Sequence, residues 1–125
     1  MNELTKPQQD FKQTEAEKFT LSLEIRTGPE DGRSLTFATR RMLIGRQLPA
    51  PDPAEAPPIT NFLIRSDKSI SREHCQLTIE SPNKMVLEDL NSRFGTYLNG
   101  KKVTSPVECH VGDTMKLGDT EILLR

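Results

Sequence analysis

Short runs of alternating hydrophobic and polar residues recur along most of the chain. In the clearest run, Cys75, Leu77 and Ile79 lie on one face and the intervening polar residues on the other. A period of two is typical of a half-buried β-strand. Similar runs begin at Leu21 and continue to Leu124, separated by turn-forming residues. About ten such runs and no helical periodicity predict an all-β fold, either a β-sandwich or a barrel.

Two segments lack this pattern. Residues 1–18 are polar and have no periodicity, so we expect a disordered N-terminal tail. Residues 47–60 carry five prolines among fourteen positions. Because proline has no amide hydrogen for a sheet, this stretch is expected to form an extended surface loop. The predicted organisation is a tail at 1–18 and one ordered domain at 19–125, which contains the proline-rich loop 47–60.

Composition narrows the class of partner. The chain has 125 residues and a net charge of −1, with 17 basic and 18 acidic residues, so no global field favours nucleic acid or an acidic membrane. Aromatic residues make up only 5%, which disfavours base stacking. No apolar run reaches the roughly 20 residues of a membrane helix, and residues 1–10 lack the apolar core of a signal peptide. We therefore expect a cytoplasmic, monomeric protein without nucleic-acid or membrane partners.

Each of the two cysteines has a histidine neighbour. Adjacent residues on a strand point to opposite faces, so the pairs His74-Cys75 and Cys109-His110 can each offer one ligand to a common site. A structural zinc site takes four ligands, so we predict no metal. Because Cys75 alternates with other apolar residues and disulfides are rare in the cytosol, both thiols are expected to be free.

Three polar loops adjoin the predicted strands, and their side chains share one chemistry. Arg46 follows a strand, Ser71-Arg72 precedes another, and Ser92-Arg93 lies between two more. Singly, each residue has an ordinary explanation as a surface charge or a turn residue. Together, guanidinium forks and hydroxyls are the donors that suit a tetrahedral dianion. A phosphorylated side chain brings about −1.5 to −2 charges and three acceptor oxygens, so the pattern indicates recognition of a local phosphate.

The ordered set of motifs resembles the forkhead-associated (FHA) domain, and the likeness spans roughly residues 19–125. The motifs that carry it are Gly45-Arg46, Ser71-x-x-His74, Asp89, Ser92, Gly95-Thr96, Asn99-Gly100 and Gly112-Asp113. The resemblance implies an eleven-stranded β-sandwich that binds phosphothreonine peptides through loops at one end. It thus implies a threonine-phosphorylated protein or peptide as the partner, and a role in signalling through protein–protein interaction.

The resemblance also implies roles for individual residues. Arg46 and Ser71 would hold the phosphate, with Arg72 beside the peptide. Arg93 would supply a further positive contact. The residues expected to hold the loops in shape are Gly45, His74, Ser92, Gly95, Thr96, Asn99 and Gly100.

Two further positions are candidates for peptide selectivity. Phe94 departs from the family pattern, because many members have an asparagine there that contacts the peptide backbone. Lys68 would join Arg72 and Arg93 in making the rim of the site basic. We therefore expect a preference for acidic residues next to the phosphothreonine.

Other functions use the same residues differently. A hydrolase would take Ser71 as nucleophile, His74 as base and Asp89 as the orienting acid, but the chain has no nucleophile-elbow motif. Nucleotide binding would need a glycine-rich loop that opens a helix. We therefore predict neither an enzyme nor a cofactor. The remaining alternative is an FHA-fold scaffold that binds its partner without phosphate.

The tail contains one candidate regulatory site. Thr14 is followed by the acidic residues Glu15 and Glu17. If a kinase modified Thr14, the tail could occupy the phosphate site of its own domain or join two chains head to tail. Self-association that depends on phosphorylation is therefore a prediction for this otherwise monomeric chain.

Overall fold

The computed structural model describes residues 20–50, 52–54, 58–81 and 84–125, and the predicted tail at 1–18 lies outside them. Within these ranges the chain forms eleven strands and no helix. The strands are β1 (Thr20–Ile25), β2 (Ser34–Ala38), β3 (Arg41–Gly45), β4 (Thr60–Leu63), β5 (Cys75–Ser81), β6 (Lys84–Asp89), β7 (Thr96–Leu98), β8 (Lys101–Lys102), β9 (Val107–Cys109), β10 (Thr114–Leu117) and β11 (Thr120–Leu124).

The strands form two sheets that enclose one core. The six-stranded sheet has the order β2-β1-β11-β10-β7-β8, and the five-stranded sheet has the order β4-β3-β5-β6-β9. Among the described strands, every pair except β3 and β4 is antiparallel. The predicted all-β sandwich of ten to eleven strands is confirmed.

The parallel pair gives the proline-rich loop a structural role that the sequence did not reveal. Met42 lies opposite Thr60, and Gly45 lies opposite Leu63. Parallel neighbours need a crossover of about a dozen residues or more, because the chain must return to the starting end of the sheet. The proline-rich stretch belongs to this crossover. Asn61 Nδ2, at the start of β4, donates to a carbonyl of the stretch over 2.8 Å.

The core lies between the sheets and consists of the inward-facing residues. In β1 these are Leu21, Leu23 and Ile25, as the alternation predicted. The largest fully buried side chains are Phe62, Leu23, Ile25, Met42, Ile44, Ile64, Ile70, Leu77, Leu87, Met115, Leu117 and Ile122. Each such side chain contributes about 1.5–3 kcal/mol by leaving water. Phe62 also meets Phe37 edge to face, with the ring centroids 5.7 Å apart.

The strand directions bring three loops together at one end of the sandwich. Strand β5 pairs antiparallel with both β3 and β6, so the start of β5 lies beside the ends of its two neighbours. Cys75, the first residue of β5, faces Ile44 on one side and Asp89 on the other. We call this the three-loop end; it carries Arg46, the segment 71–72 and the loop 91–95.

Candidate functional site

Backbone hydrogen bonds join the first two loops at the three-loop end. Arg46 donates its N–H to the Ser71 carbonyl over 3.0 Å, and Gln47 donates to the Arg72 carbonyl over 3.2 Å. These bonds connect the end of β3 to the segment that precedes β5. The structure therefore places Arg46 next to Ser71 and Arg72, although some 25 residues separate them in the chain.

Gly45 permits this close approach. The residue is buried, and a Cβ atom at its position would collide with the carbonyl oxygen of Arg72 and lie 2.9 Å from the carbonyl carbon. Those are backbone atoms, and moving them would break the contact between the two loops. Only glycine fits here, which is the physical reason for the glycine that the sequence singled out.

The Arg46 side chain is half-buried and held at one nitrogen. Its Nε donates to the Ile70 carbonyl over 2.9 Å. Within the described residues, no acceptor binds its two Nη groups. The guanidinium therefore presents N–H donors beside Ser71, in the planar fork that can bind two oxygens of one anion.

The Ser71 hydroxyl joins the second loop to the third. Its Oγ accepts a hydrogen bond from the Arg93 backbone N–H over 2.9 Å. The hydroxyl keeps its own hydrogen, for which the described part of the chain has no acceptor. Ser71 can therefore donate to an anion while it stays fixed to the third loop. The sequence pointed to the Arg93 side chain and missed this role of its backbone.

His74 connects the same two loops from inside the protein. Its Nδ1 accepts from the Ser71 N–H over 3.0 Å, so the ring hydrogen is on Nε2, which donates to the Gly95 carbonyl over 2.9 Å. The side chain is fully buried, and loss of water lowers the pKa of His74 even though the Gly95 carbonyl raises it. The imidazole is therefore neutral at pH 7, with both nitrogens bonded to backbone groups.

This geometry opposes the trio of Ser71, His74 and Asp89 as a catalytic triad. His74 bonds to the backbone N–H of Ser71 and not to its hydroxyl. The second ring nitrogen bonds to a carbonyl, which leaves neither nitrogen for the carboxylate. The hydrogen-bond chain from nucleophile to base to acid is therefore not formed.

Asp89 shapes the third loop. Its carboxylate accepts from the Ser92 N–H over 3.1 Å and from the Ser92 and Thr96 hydroxyls over 2.6 Å each. Burial raises the pKa of Asp89, but these hydrogen bonds together outweigh it and hold the pKa below its usual value. Gly95, with φ of 87°, provides the left-handed turn that leads into β7.

Four of the predicted residues are exposed on the three loops or on the segment that leads into Ser71, and we call them the rim: Lys68, Arg72, Arg93 and Phe94. The Cζ atom of Arg93 lies 5.2 Å from the Phe94 ring centroid, a cation–π contact. Phe94 is 53% exposed, so apolar surface lies next to the donors of the candidate site. Exposed aromatic surface of this kind often marks a contact with a partner.

The structure places Asn99 and Gly100 away from the other candidate residues. They follow β7 at the end opposite Thr96, with φ values of 50° and 86° in the tight hairpin that the Asn-Gly pair predicts. Asn99 Nδ2 donates to Asp113, and its Oδ1 accepts from the Thr114 N–H, both over 3.0 Å. The pair therefore holds the start of β10, and the described hydrogen bonds of Asn99 go to residues outside the three loops.

Asp67 is a structural residue that the sequence analysis missed. Its side chain is only 2% exposed, and it accepts from both the N–H and the hydroxyl of Ser69. It also accepts from the Asp119 N–H over 2.9 Å and the Thr120 hydroxyl over 2.7 Å. Burial raises the pKa of Asp67, but the hydrogen bonds bring it below its usual value. The available signal was the Asp-x-Ser spacing, which is typical of a local side-chain turn.

The Asp67 contacts also serve the site. They fix the loop 65–70 to the turn between β10 and β11. That loop carries Lys68 on the rim and Ile70, whose carbonyl holds Arg46. The position of the Arg46 guanidinium therefore depends on a buried carboxylate whose described hydrogen bonds go to Ser69, Asp119 and Thr120 and not to Arg46 or Ser71.

The remaining sequence expectations concern metals, thiols and membranes. Among the described residues, no group of three or more His, Cys, Asp or Glu side chains is placed to hold a metal ion. Cys75 and Cys109 are buried free thiols, and burial raises the pKa of both, that of Cys109 to about 12. None of the described segments is a helix that could span a bilayer.

Comparison with known proteins agrees with this architecture. The family model for the FHA domain matches residues 42–118. The FHA domain-containing protein FhaB of Mycobacterium tuberculosis is 32% identical over 103 residues, as is FhaB of Mycolicibacterium smegmatis. Each match covers 82% of this chain and 59% of the relative, so this chain spans well under two thirds of those proteins.

Solved structures give the same result. The FHA domain of CT664 from Chlamydia trachomatis matches with a TM-score of 0.66 at 24% identity, over 84% of this chain and 95% of that one. The FhaA FHA domain, in complex with the intracellular domain of Rv3910, matches with a TM-score of 0.63 at 26% identity. The match covers 84% of this chain and 99% of that one. An FHA domain from a study of phosphothreonine-dependent FHA domain interactions matches with a TM-score of 0.62 at 25% identity. The match covers 85% of this chain and 95% of that one. The chain therefore belongs to the FHA-domain family.

Proposed function

We propose that this domain binds a threonine-phosphorylated segment of a partner protein, with the phosphate held by the Arg46 guanidinium and the Ser71 hydroxyl. The observation that carries the proposal is the position of these two groups. Arg46 bonds through its backbone to Ser71, and its side chain is oriented by the Ile70 carbonyl. Two kinds of donor that suit a phosphate dianion are thus fixed next to each other before any ligand arrives, which lowers the entropy cost of binding.

The rim supports the same proposal. Arg72 and Arg93 are exposed on the loops that flank Ser71, so either guanidinium can approach the anion or an acidic neighbour of it. The complete chain has a net charge of −1, so the attraction is local rather than a property of the whole surface. The matched FHA structure from the work on phosphothreonine-dependent interactions supports the same ligand class.

The proposal is tested by calorimetric titration with three peptides that differ only at one position, which is phosphothreonine, phosphoserine or threonine. We expect binding of the phosphothreonine peptide alone at low micromolar concentration or better. Arg46→Ala should weaken it at least about thirtyfold, because a charged group would lose its main partner. Arg125→Ala is the matched control, since Arg125 is an exposed arginine after the last strand and pairs with Glu24.

Two outcomes would contradict the proposal. Equal binding of phosphorylated and unphosphorylated peptides would favour the phosphate-independent scaffold. So would a partner whose affinity is unchanged by Arg46→Ala. Circular dichroism of each variant shows whether the fold is intact, so a loss of binding can be assigned to the missing side chain.

Phosphorylation of Thr14 remains part of the proposed function, as a route to self-association. Thr14 precedes Thr20 by six residues, and six residues span at most about 20 Å. Thr20 begins β1 at the end away from the three loops, where it pairs with Ala38. A strand of this length is itself about 17–20 Å long, and the site lies on the other sheet, about 10 Å across. We therefore propose that a phosphorylated Thr14 binds a second copy rather than its own domain.

A further inference from the structure

A groove of about 660 Å³ begins next to Phe94 and runs along the outer face of the six-stranded sheet. Phe94 and Gly118 line it at the three-loop end, and Asn99 and Gly100 line it at the other end of β7. The groove therefore leads away from the proposed phosphate site along β7 and β10. A peptide bound at that site could continue into it without a break.

The floor of the groove has a defined register. Tyr97 of β7 lies directly opposite Lys116 of β10 on one side and Lys102 of β8 on the other. Residues opposite each other in a sheet have Cβ atoms about 4.5–5.5 Å apart. Lys116 faces outward, because its neighbours Met115 and Leu117 are buried. One aromatic ring thus lies between two lysines on the solvent face of the sheet.

Lys102 also reaches back to the third loop. A Cβ atom on Gly95 would lie 3.1 Å from Lys102 Cε and 3.6 Å from Tyr97 Cε1. The Lys102 side chain and the Tyr97 ring therefore both lie close to Gly95, the residue that precedes β7. This contact places Lys102, which lies beside the groove, next to the loop that carries Arg93 and Phe94.

Two lysines on this face of the sheet, Lys102 and Lys116, outnumber the one glutamate that lines the groove, Glu121. In the part of the chain that the structure describes, neither Lys102 nor Lys116 lies within 4.0 Å of a carboxylate oxygen, and this includes Glu121, the residue opposite Lys116. The exposed ring of Phe94 adds apolar surface at the entrance. A segment that carries carboxylates and an apolar side chain complements both features.

We propose that this groove binds an acidic segment of the phosphorylated partner that is directly continuous with its phosphothreonine. Carboxylates of the segment lie beside Lys102 and Lys116, and an apolar side chain packs against Phe94 and Tyr97. The inference rests on the proposed function, because the phosphate anchors the segment at the entrance. The groove would extend recognition of the partner from the three-loop end to the outer face of the six-stranded sheet.

The test is a calorimetric titration with peptides that share one seven-residue core with phosphothreonine at its centre and flanking residues from an oriented library. The first peptide is the core alone. Two further peptides carry the acidic extension Glu-Leu-Glu-Asp-Leu-Glu, one on the amino side of the core and one on its carboxyl side. Their neutral counterparts carry Gln-Leu-Gln-Asn-Leu-Gln in the same two places. We expect one acidic extension to bind about three- to tenfold more tightly than its neutral counterpart, with a smaller gain at high salt. Lys116→Glu should remove this gain. Lys101→Glu, the same charge change at an exposed lysine outside the groove, should keep it.

Three other results would overturn either the groove proposal or the proposed function. Acidic extensions that bind no better than neutral ones, while the core peptide binds normally, would overturn the groove proposal alone. An equal loss of the gain in Lys101→Glu would assign it to general attraction and would also overturn the proposal. A core peptide that binds equally with and without its phosphate would overturn the proposed function, and with it the role of the groove.

Discussion

His74 Nε2 donates to the Gly95 carbonyl over 2.9 Å, and this bond links the loop before β5 to the loop before β7. The opposite ring nitrogen accepts from the Ser71 N–H. Only a neutral imidazole with its hydrogen on Nε2 can make both bonds at once. A buried side chain thus fixes the separation of the loops that contribute Ser71 and Arg93.

Replacing this ring should cost more stability than replacing an exposed one. We expect His74→Ala to lower the free energy of unfolding by about 2–4 kcal/mol, because it leaves two buried backbone groups unsatisfied. His110 is the matched control, with a side chain that is 54% exposed, and His110→Ala should change stability by less than about 0.5 kcal/mol. Urea denaturation of both variants provides the measurement. Similar losses in the two would contradict a supporting role for His74.

The buried histidine also predicts a pH dependence. The pKa of His74 is lowered in the folded protein, so below about pH 6.5 the unfolded chain takes up a proton that the folded chain does not. The stability that depends on the neutral His74 ring is therefore fully present above about pH 6.5 and decreases as the pH falls. Urea midpoints between pH 5 and 8 should therefore decrease towards acid in the wild type and in His110→Ala. The decrease over this range should be smaller in His74→Gln, because an amide side chain does not titrate there.

Asp67 should support the site without touching the ligand. Asp67→Asn places an amide where the carboxylate accepts four hydrogen bonds, so we expect a loss of about 2–4 kcal/mol of stability and weaker phosphopeptide binding. Asp119→Asn is the control, because the Asp119 side chain is exposed. Asp119→Asn should change both the stability in urea denaturation and the affinity in phosphopeptide titration only slightly. An Asp67→Asn variant with wild-type stability would refute the importance of this network.

The Asp67 carboxylate predicts a second pH dependence of stability, in a more acidic range. The pKa of Asp67 is below its ordinary value of 3.8 in the folded protein, so its stabilisation is present above that pH and is lost as the pH falls further. Thermal unfolding between pH 2 and 5 should show this loss in the wild type. A wild-type protein and an Asp67→Asn variant that lose stability in parallel over this range would exclude Asp67 as its source.

Two exposed hydrophobic residues allow a matched test of the rim. Phe94 is 53% and Val111 is 61% exposed, but only Phe94 lies beside the candidate phosphate donors. We expect Phe94→Ala to weaken phosphopeptide binding about tenfold, because a partner-facing aromatic residue typically supplies one kcal/mol or more. Val111→Ala should leave the affinity within about twofold. Equal affinities of both variants would show that the ring contributes nothing to recognition.

The reach of the tail predicts association between molecules. Thr14-phosphorylated chain should form dimers or larger species whose proportion rises with concentration in sedimentation velocity, and Arg46→Ala should abolish them. Unphosphorylated protein is the control and should remain monomeric. A phosphorylated chain that stays monomeric yet loses affinity for an external phosphopeptide would instead show binding within one molecule.

The sequence predicted the elements of this fold well because their signal is local. The alternation of Leu21, Leu23 and Ile25 reports one buried face, and the Asn99-Gly100 pair reports a positive-φ turn. The parallel pairing of β3 with β4 was not predictable in this way. Register between distant strands depends on contacts that no local pattern records, and the prolines indicated only that the connection was not a strand.

The candidate site was predictable in part for the same reason. Arg46 and Ser71 could be proposed from residue type and from the family resemblance, and the structure places them side by side. The buried contacts of Asp67 join positions about fifty residues apart, which no motif marks. Asn99 was grouped with the three loops on the family resemblance, but strand β7 separates it from them.

The most direct experiment is an NMR titration of the ¹⁵N-labelled domain with the phosphothreonine peptide, following the Arg46 Nε–Hε signal and the backbone amides of Ser71 and Arg93. With a seven-residue phosphothreonine peptide that carries no acidic extension, these three signals should shift together and saturate at one equivalent, while the amides of Asn99 and Gly100 stay in place. The same peptide without phosphate should leave all of them unchanged. Shifts confined to other surfaces, or shifts that do not require the phosphate, would contradict a phosphate site at these loops.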